Sequence, residues 1–239
     1  MELKTLKPLV LERNGEKDGF AERFGKVIPE GSMVFMEGKE GTGKSIFSQR
    51  FCYGFLKNHE TCTYISTQYT IKNFLRQTSS VGYDIRDFLL SGKLFFISTE
   101  VMLAETLPRE TFLEGLLTTK KIFDPDIVFI DSLSTLLNKS LNKNNLNDLT
   151  SFFNRLRGSG KTLIVTANPS DWPDDIHSAF QMICDVHFRI TRESMPGIGL
   201  VHNIYIDKFN GAQHKYESRT AFSVRPGYGV TIETSQVAF

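Results

Sequence analysis

Residues 38–45 read GKEGTGKS, which fits the pattern G-x-x-x-x-G-K-[ST]. Glycines let successive backbone N–H groups point into one concavity, and the dipole of a following helix adds positive potential there. In such a loop Lys44 would place its ammonium against the β- and γ-phosphates, and the Ser45 hydroxyl would join the coordination sphere of Mg²⁺. The sequence therefore predicts a site for a nucleoside triphosphate and Mg²⁺.

The sequence on both sides of this loop has the strand–loop–helix order that a phosphate loop needs. Residues 33–36 form a short apolar run, and apolar residues recur at helical spacing from Ile46 to Leu56. We expect the nucleotide to contact the loop and the first helical turn, namely Gly38, Lys39, Glu40, Gly41, Thr42, Gly43, Lys44, Ser45 and Ile46.

A second acidic anchor follows the apolar run at residues 127–130, where Asp131 ends the predicted strand. A carboxylate at the carboxyl end of a strand near the phosphate loop can position the metal, usually through water. Buried strands also often end in a turn-forming Asp, so the assignment depends on the loop upstream. We expect Asp131 and Ser45 to hold Mg²⁺.

Hydrolysis would need one group more, normally a carboxylate that orients the attacking water. The residue after Asp131 is Ser132, and at the end of the second strand, in YISTQYT, the candidates are Gln68 and Tyr69. Gln68 can orient a water through its amide but accepts a proton poorly. Glu40 is the nearest carboxylate in the sequence, and it also fits a solvated loop residue. The sequence predicts binding with weak or absent hydrolysis.

Short apolar runs alternate with helical patterns along most of the chain. The runs at residues 33–36, 63–66, 94–97, 127–130 and 163–166 are each followed by a helical pattern, which begins at Lys44 in the first case and lies at 71–77, around 109–123, at 146–156 and at 175–182 in the others. This alternation predicts an α/β fold with a mostly parallel central sheet flanked by helices. After about residue 185 alternating runs around MPGIG and RPGYG predict antiparallel hairpins at the C-terminal edge. We expect residues 1–239 to form one domain.

Composition limits the remaining classes of function. The 239 residues include 28 basic and 27 acidic ones, a formal net charge of +1, which gives no electrostatic case for nucleic acid. The three cysteines are far apart and predict buried thiols rather than a disulfide or zinc framework. There is no export signal and no run of roughly 18 apolar residues, so we expect a cytoplasmic protein.

The order of GKEGTGKS, YISTQYT, VFIDSLS and DKFNGAQH resembles the KaiC-like branch of RecA-fold ATPases. Within that branch the chain is most similar to the ATP-binding proteins of the archaellum motor, from roughly residue 25 to 230. The resemblance implies a RecA-like core and ATP as the nucleotide. RecA-fold proteins place a γ-phosphate sensor at the end of the fifth strand, where Thr166 and Asn168 stand, although a turn residue is the commoner explanation at such a position. Just beyond, we expect Asp171 to cap a helix that begins at Trp172-Pro173.

Two departures from the clock-type members of that branch bear on activity. Those proteins carry a Glu-Glu pair where this chain has Gln68 and Tyr69. They also carry K-x-R-G, whose Lys and Arg reach a neighbouring subunit's γ-phosphate; here Lys208 is kept and Asn210 replaces the Arg. An arginine finger is worth about 10³–10⁵ in rate where it has been removed. The resemblance thus implies ATP binding with slow hydrolysis and a contact in trans from Lys208.

The same resemblance implies the partners. Proteins of this kind dock on the hexameric motor ATPase beneath the membrane platform protein, so the expected location is the cytoplasmic face of the membrane-embedded motor. A homo-hexameric ring is a possible assembly, and contact with the membrane would be indirect.

Three alternatives stay open from the sequence. One is an active ATPase or autokinase of the KaiC type, using Gln68 or Glu40. Another is a recombinase-like DNA-binding ATPase, although the candidate stretch LNKSLNKNNLNDLTS has only Lys139 and Lys143 as cations. The third is a scaffold in which nucleotide is purely structural.

Overall fold

The computed structural model describes residues 7–9, 12–13, 16–17, 19–99, 112–137, 141–195 and 199–233. The strands are β1 (Lys7–Pro8), β2 (Glu12–Arg13), β3 (Glu16–Lys17), β4 (Val27–Ile28), β5 (Met33–Glu37), β6 (Cys62–Ser66), β7 (Leu94–Ser98), β8 (Ile127–Asp131), β9 (Thr162–Ala167), β10 (Val186–Met195), β11 (Gly199–Phe209), β12 (Arg219–Arg225) and β13 (Gly229–Ile232). The helices are α1 (Phe20–Arg23), α2 (Lys44–Lys57), α3 (Ile71–Ser80), α4 (Arg86–Leu90), α5 (Phe112–Thr118), α6 (Leu133–Leu137), α7 (Lys143–Gly158) and α8 (Asp174–Ile183).

A nine-stranded sheet runs through the molecule in the order β13-β12-β11-β10-β5-β9-β8-β6-β7. The strands from β10 to β7 in that order pair in parallel, and β10 to β13 pair antiparallel as two successive hairpins. The predicted parallel core and antiparallel C-terminal edge are both confirmed. Because parallel strands end at the same edge of a sheet, the chain segments after β5, β6, β8 and β9 come together there.

Apolar side chains fill both faces of the sheet, which explains why its central strands read as continuous apolar runs. On one face α2 lies over a phenylalanine-rich cluster, where Phe47 and Phe51 contact Phe188 with ring centroids 6.2 and 5.8 Å apart. On the other face α6, α7 and α8 cover a second cluster that includes Phe153 and Phe180. Many of the 20 phenylalanines of the chain are therefore part of the core.

The structure changes some predicted boundaries. The helix predicted at 109–123 is the shorter α5, followed by a 3₁₀ turn at Lys120–Phe123, and residues 109–111 lie outside the described part of the chain. The three cysteines are free and buried, as predicted. Across the residues that the structure describes, no helix has the length and apolar character needed to cross a bilayer.

Candidate nucleotide-binding site

The loop between β5 and α2 is wound tightly because its glycines accept close contacts and unusual backbone angles. Gly41 and Gly43 have φ values of +72° and +100°, in the region that favours glycine. A β-carbon on Gly38 would lie 2.5 Å from the Ile190 carbonyl oxygen. The Thr42 hydroxyl donates to the carbonyl of Lys39 at 2.8 Å and closes the loop on itself. The predicted loop–helix arrangement is therefore formed.

Lys44 begins α2, and its ammonium points back over the loop. Its Nζ donates to the Lys39 carbonyl oxygen at 2.9 Å. Burial lowers the pKa of Lys44, while the charges of Asp131, Asp171 and Glu40 act in the opposite direction. An ammonium has three donors. The lysine can thus keep its bond to the loop and still donate to a phosphate.

Asp131, at the end of β8, is 2% exposed and accepts hydrogen bonds from three hydroxyl groups. Its Oδ1 accepts from Ser45 at 3.1 Å and from Thr166 at 2.7 Å, and its Oδ2 accepts from Tyr64 at 2.8 Å. Burial and the neighbouring Asp131 raise the pKa of Tyr64, so this phenol stays a donor. The three donors hold the buried carboxylate in a fixed orientation.

Oxygen donors of this kind fit Mg²⁺, which keeps several waters and binds through few protein groups together with substrate phosphates. The Ser45 hydroxyl and the Asp131 carboxylate are adjacent at the start of α2. In the described part of the chain, no group of three or more His, Cys, Asp or Glu residues is placed to hold a metal by itself. The residues therefore fit a hydrated ion shared with nucleotide phosphates, and their role as ligands stays a prediction.

Asp171 does not cap a helix, contrary to the sequence prediction. The N-cap of α8 is Pro173, and Asp171 ends a 3₁₀ turn at Pro169–Asp171 beside the site. Its carboxylate accepts from the Ser134 hydroxyl at 2.8 Å and from the Asn168 side-chain amide at 3.0 Å. Because the turn brings the carboxylate within electrostatic reach of Lys44, Asp171 becomes part of the site.

A chain of hydroxyl groups connects Asp171 to the strand that carries Asp131. The Ser134 and Ser132 hydroxyls lie 2.9 Å apart, and the backbone N–H of Asn168 donates to Ser134 at 2.9 Å. The N–H of Ser132, the residue after Asp131, donates to the Thr67 hydroxyl at 3.1 Å. The ends of β6, β8 and β9 are therefore joined by polar groups.

The two residues proposed from sequence to assist hydrolysis are exposed at the rim of this edge. Gln68 lies just after Ser66, which is paired in register with Asp131, and its backbone N–H donates to the Ser66 hydroxyl at 3.3 Å. Glu40 is exposed in the phosphate loop. A catalytic role for either residue stays a prediction.

Lys208 has partners within its own chain. Its Nζ donates to the carbonyl oxygens of Met182 at 2.9 Å and Gln181 at 3.4 Å, at the C-terminal end of α8. Cations are favoured at that end of a helix because its carbonyl groups are unpaired there. A contact in trans to a neighbouring subunit would therefore require the Lys208 side chain to leave α8.

Two histidines surround Glu37, which ends β5 directly before Gly38 and is 3% exposed. His177 on α8 contacts one carboxylate oxygen, and His187 Nε2 on β10 lies 3.2 Å from the other. Burial would raise the pKa of Glu37, but hydrogen bonds to His187 and His177 and their charges lower it below its usual value. This cluster fixes the end of the strand from which the phosphate loop starts.

The lowered pKa of Glu37 predicts an acid-sensitive contribution to stability. A carboxyl group whose pKa is lower in the folded chain stabilises it above the unfolded value, here near 4.5, and this contribution disappears as pH falls through the folded value. At neutral pH we expect Glu37→Gln to lower the free energy of unfolding by about 1–3 kcal/mol. The difference from the unaltered chain should shrink below pH 4.5.

Denaturant unfolding of both chains across this pH range checks the prediction. Glu114→Gln, at an exposed position on α5, is the matched control and should leave the curve unchanged. A Glu37→Gln effect of the same size at every pH would contradict this role for the carboxylate.

The fold and the site define a RecA-like nucleotide-binding protein, and comparison with known proteins agrees. The family described as "ATPase: KaiC" matches residues 18–237. Two relatives, each described as "Archaeal flagellar ATP-binding protein FlaH", are 33% identical to this chain. The one from Methanocaldococcus jannaschii aligns over 93% of this chain and 95% of its own length, and the one from Methanococcus voltae over 93% and 96%.

Solved structures give the same relationship. The crystal structure of the flagellar accessory protein FlaH from Methanocaldococcus jannaschii has a TM-score of 0.89 at 32% identity, covering 97% of this chain and 100% of that one. A KaiC-like protein from Pyrococcus horikoshii shares the fold, with a TM-score of 0.70 at 20% identity over 90% of this chain and 95% of that one. The chain belongs to the KaiC-like branch of the RecA-fold ATPases and, within it, to the FlaH family.

Proposed function

We propose that this chain is an ATP-binding component of the archaellum motor that uses ATP and Mg²⁺ as a conformational or assembly signal, with little or no hydrolysis. The observation that carries the proposal is a contrast between the groups available for binding ATP and those available for hydrolysing it. Lys44, Ser45 and Asp131 are assembled for binding phosphate and metal. The end of the second strand presents the exposed Gln68 where a water-activating carboxylate would stand.

The relatives support the first half of this proposal. They are described as archaeal flagellar ATP-binding proteins. The contact candidates for ATP are the loop residues and Ile46, with Ser45 and Asp131 toward Mg²⁺. The ion, when bound, would neutralise phosphate charge, and the Ser45 hydroxyl and Asp131 carboxylate would orient it or its waters.

A nucleotide acts as a signal only if it binds one conformation better than another. The site has the connections for that, because the hydroxyl chain joins the ends of β6, β8 and β9, and the Glu37 cluster joins the end of β5 to α8 and β10. A phosphate that attracts Lys44 or displaces a hydroxyl would therefore act on several elements together. One of these elements is α8, which begins three residues after Asp171 and whose last carbonyl groups accept hydrogen bonds from Lys208.

The proposed partners are the hexameric motor ATPase and the membrane platform complex, at the cytoplasmic face of the membrane. We propose a single domain that can join a homo-hexameric ring, with Lys208 contributing to a neighbour's nucleotide. No contact with nucleic acid is proposed, because the net charge is +1. The Lys139 and Lys143 side chains of the stretch considered for DNA lie outside the described part.

A second candidate function is an active KaiC-type ATPase, and one observation favours it. Asp171 is a carboxylate near Lys44 that the sequence pattern did not place in the site. Both of its oxygens already accept hydrogen bonds, from Ser134 and Asn168. These contacts fit a positioning role better than that of a proton acceptor.

The proposal predicts that ATP binding, rather than turnover, controls docking on the motor ATPase. Affinity of the purified chain for the motor ATPase should change by about tenfold, a usual size for coupling between sites, when ATP is added. A non-hydrolysable ATP analogue should produce the same change, and Lys44→Ala should remove it. An effect confined to hydrolysable ATP would favour the ATPase alternative.

A further inference from the structure

The β10–β11 hairpin continues past the end of β5 and lies beside the phosphate loop. Phe188 and Ile190 of β10 are buried on the face of the sheet that α2 covers. Because side chains alternate along a strand, Arg192 lies on that same face, two residues further. Because β10 extends past β5, this alternation places Arg192 beyond the part of the face that α2 covers, beside the phosphate loop.

Direct contacts confirm that the hairpin touches the loop. A guanidinium nitrogen of Arg192 lies 3.6 Å from the position that a β-carbon on Gly41 would occupy. Arg192 is paired in register with His202 on β11, and His202 Nδ1 lies 2.9 Å from the Thr42 carbonyl oxygen. The His202 ring also packs on Phe222, with centroids 5.3 Å apart. The pair therefore ties the hairpin to two successive residues of the loop.

We propose that Arg192 is a phosphate-binding residue of the nucleotide site, supplied by the same chain that carries the loop. The proposal rests on the ATP binding proposed above and adds a cation to it. Gly41 has no side chain to separate the guanidinium from the loop, and Arg192 is exposed, so its head group can turn toward a bound triphosphate. A planar guanidinium can bind two phosphate oxygens at once.

This position also has a consequence for the charge of the site. Asn210 stands where the similar clock proteins carry an arginine that acts on a neighbouring subunit. Arg192 supplies one positive charge to the site from the same chain. Its contact is with the bound ATP, whereas the arginine of the clock proteins acts from a neighbouring subunit. A single chain could then hold ATP without a ring neighbour.

His202 is the positioning residue in this arrangement. A carbonyl oxygen only accepts, so Nδ1 is the donor to Thr42. Fixing Thr42 to β11 fixes Gly41 relative to the strand that carries Arg192. The short path from His202 to Arg192 across one strand pair keeps the guanidinium within reach of the loop.

The test compares Arg192→Gln, Arg192→Lys and a matched control, Arg225→Gln. Arg225 is exposed on β12, and its guanidinium has an ion pair with Glu233 at 3.4 Å. Calorimetry gives ATP affinity, and competition with inorganic triphosphate separates phosphate contacts from base contacts. We expect Arg192→Gln to weaken both ligands about tenfold, the effect of one charge-assisted hydrogen bond, and Arg192→Lys to weaken them less.

Arg225→Gln should bind both ligands as the unaltered chain does. Unchanged triphosphate binding in Arg192→Gln would overturn the proposal. This holds even if ATP binding weakens, because a loss for ATP alone would mean that Arg192 contacts the adenosine part and not the phosphates. Failure of the unaltered chain to bind ATP would instead overturn the proposed function itself.

Discussion

Replacing Lys44 by alanine should lower ATP affinity by about a hundredfold or more while the chain stays folded. The ammonium is half-buried, and each hydrogen bond to a charged group contributes about 1.5–3 kcal/mol when its partner would otherwise be left unpaired. Every 1.4 kcal/mol is about tenfold in affinity, so losing the contacts to two phosphates gives at least the stated factor. Isothermal titration with ATP and Mg²⁺ measures it.

Lys39→Ala is the matched control, because Lys39 lies in the same loop and is exposed. Lys39 takes part in the loop through its backbone carbonyl, which accepts from Thr42 and Lys44 and is retained in alanine. We expect Lys39→Ala to change affinity by less than about threefold, as for an exposed charge. Equal losses in the two variants would mean that the loop is sensitive to net charge and that Lys44 has no special contact.

Asp131→Ala should both destabilise the fold and remove the dependence of ATP binding on Mg²⁺. The substitution leaves the hydroxyls of Ser45, Tyr64 and Thr166 without their shared acceptor. Leaving a buried polar group unpaired costs about 1–3 kcal/mol, and the free energy of unfolding should fall by about that amount or more. Thermal unfolding and ATP titrations at varied Mg²⁺ give the two readouts.

Asp131→Asn separates the two effects, because asparagine keeps the shape and one acceptor but not the charge. We expect Asp131→Asn to unfold closer to the unaltered chain than Asp131→Ala does, yet to need at least about tenfold more Mg²⁺ for the same ATP affinity. Unchanged Mg²⁺ dependence in Asp131→Asn would remove Asp131 from the metal site and leave it a structural role at the end of β8.

The phosphate loop, the place of Asp131 at a strand end, and the parallel sheet with its antiparallel edge could be predicted because each depends on local sequence. Spacing of glycines defines the loop, and alternating apolar and helical patterns define parallel strands whose ends converge. The glycine spacing and the alternating patterns were enough to predict that Lys44, Ser45 and Asp131 lie close together. The long β10–β11 and β12–β13 hairpins were likewise visible from alternating residues around turn sequences.

The remaining parts of the site depend on tertiary contacts between distant segments. Glu37 meets His177 and His187 only because β10 pairs beside β5 and α8 packs against the same strand. Arg192 reaches Gly41 because β10 runs beyond β5 by several residues, and no local pattern marks that length as functional. Asp171 was misread because Asp before Trp-Pro suggests a helix cap, whereas α8 begins after Pro173 and frees the carboxylate for Ser134.

From these contacts we propose a site that is better equipped to hold ATP than to hydrolyse it. Lys44, Ser45 and Asp131 are proposed to contact phosphate and metal in the ground state, and Arg192 is proposed to add another contact. Carboxylates near Lys44 are held by other groups or exposed in the loop. Gln68 can orient water but not take its proton. The nucleotide would thus persist long enough to report on assembly.

The most direct test is phosphate release from ATP by the purified chain with Mg²⁺, measured beside ATP binding in the same preparation, with Lys44→Ala as the blank. The account predicts tight binding by the unaltered chain and phosphate release no faster than that of the blank. Turnover that is well above the blank and disappears in Lys44→Ala would contradict it. The carboxylate responsible would then be sought first at Asp171 and Glu40.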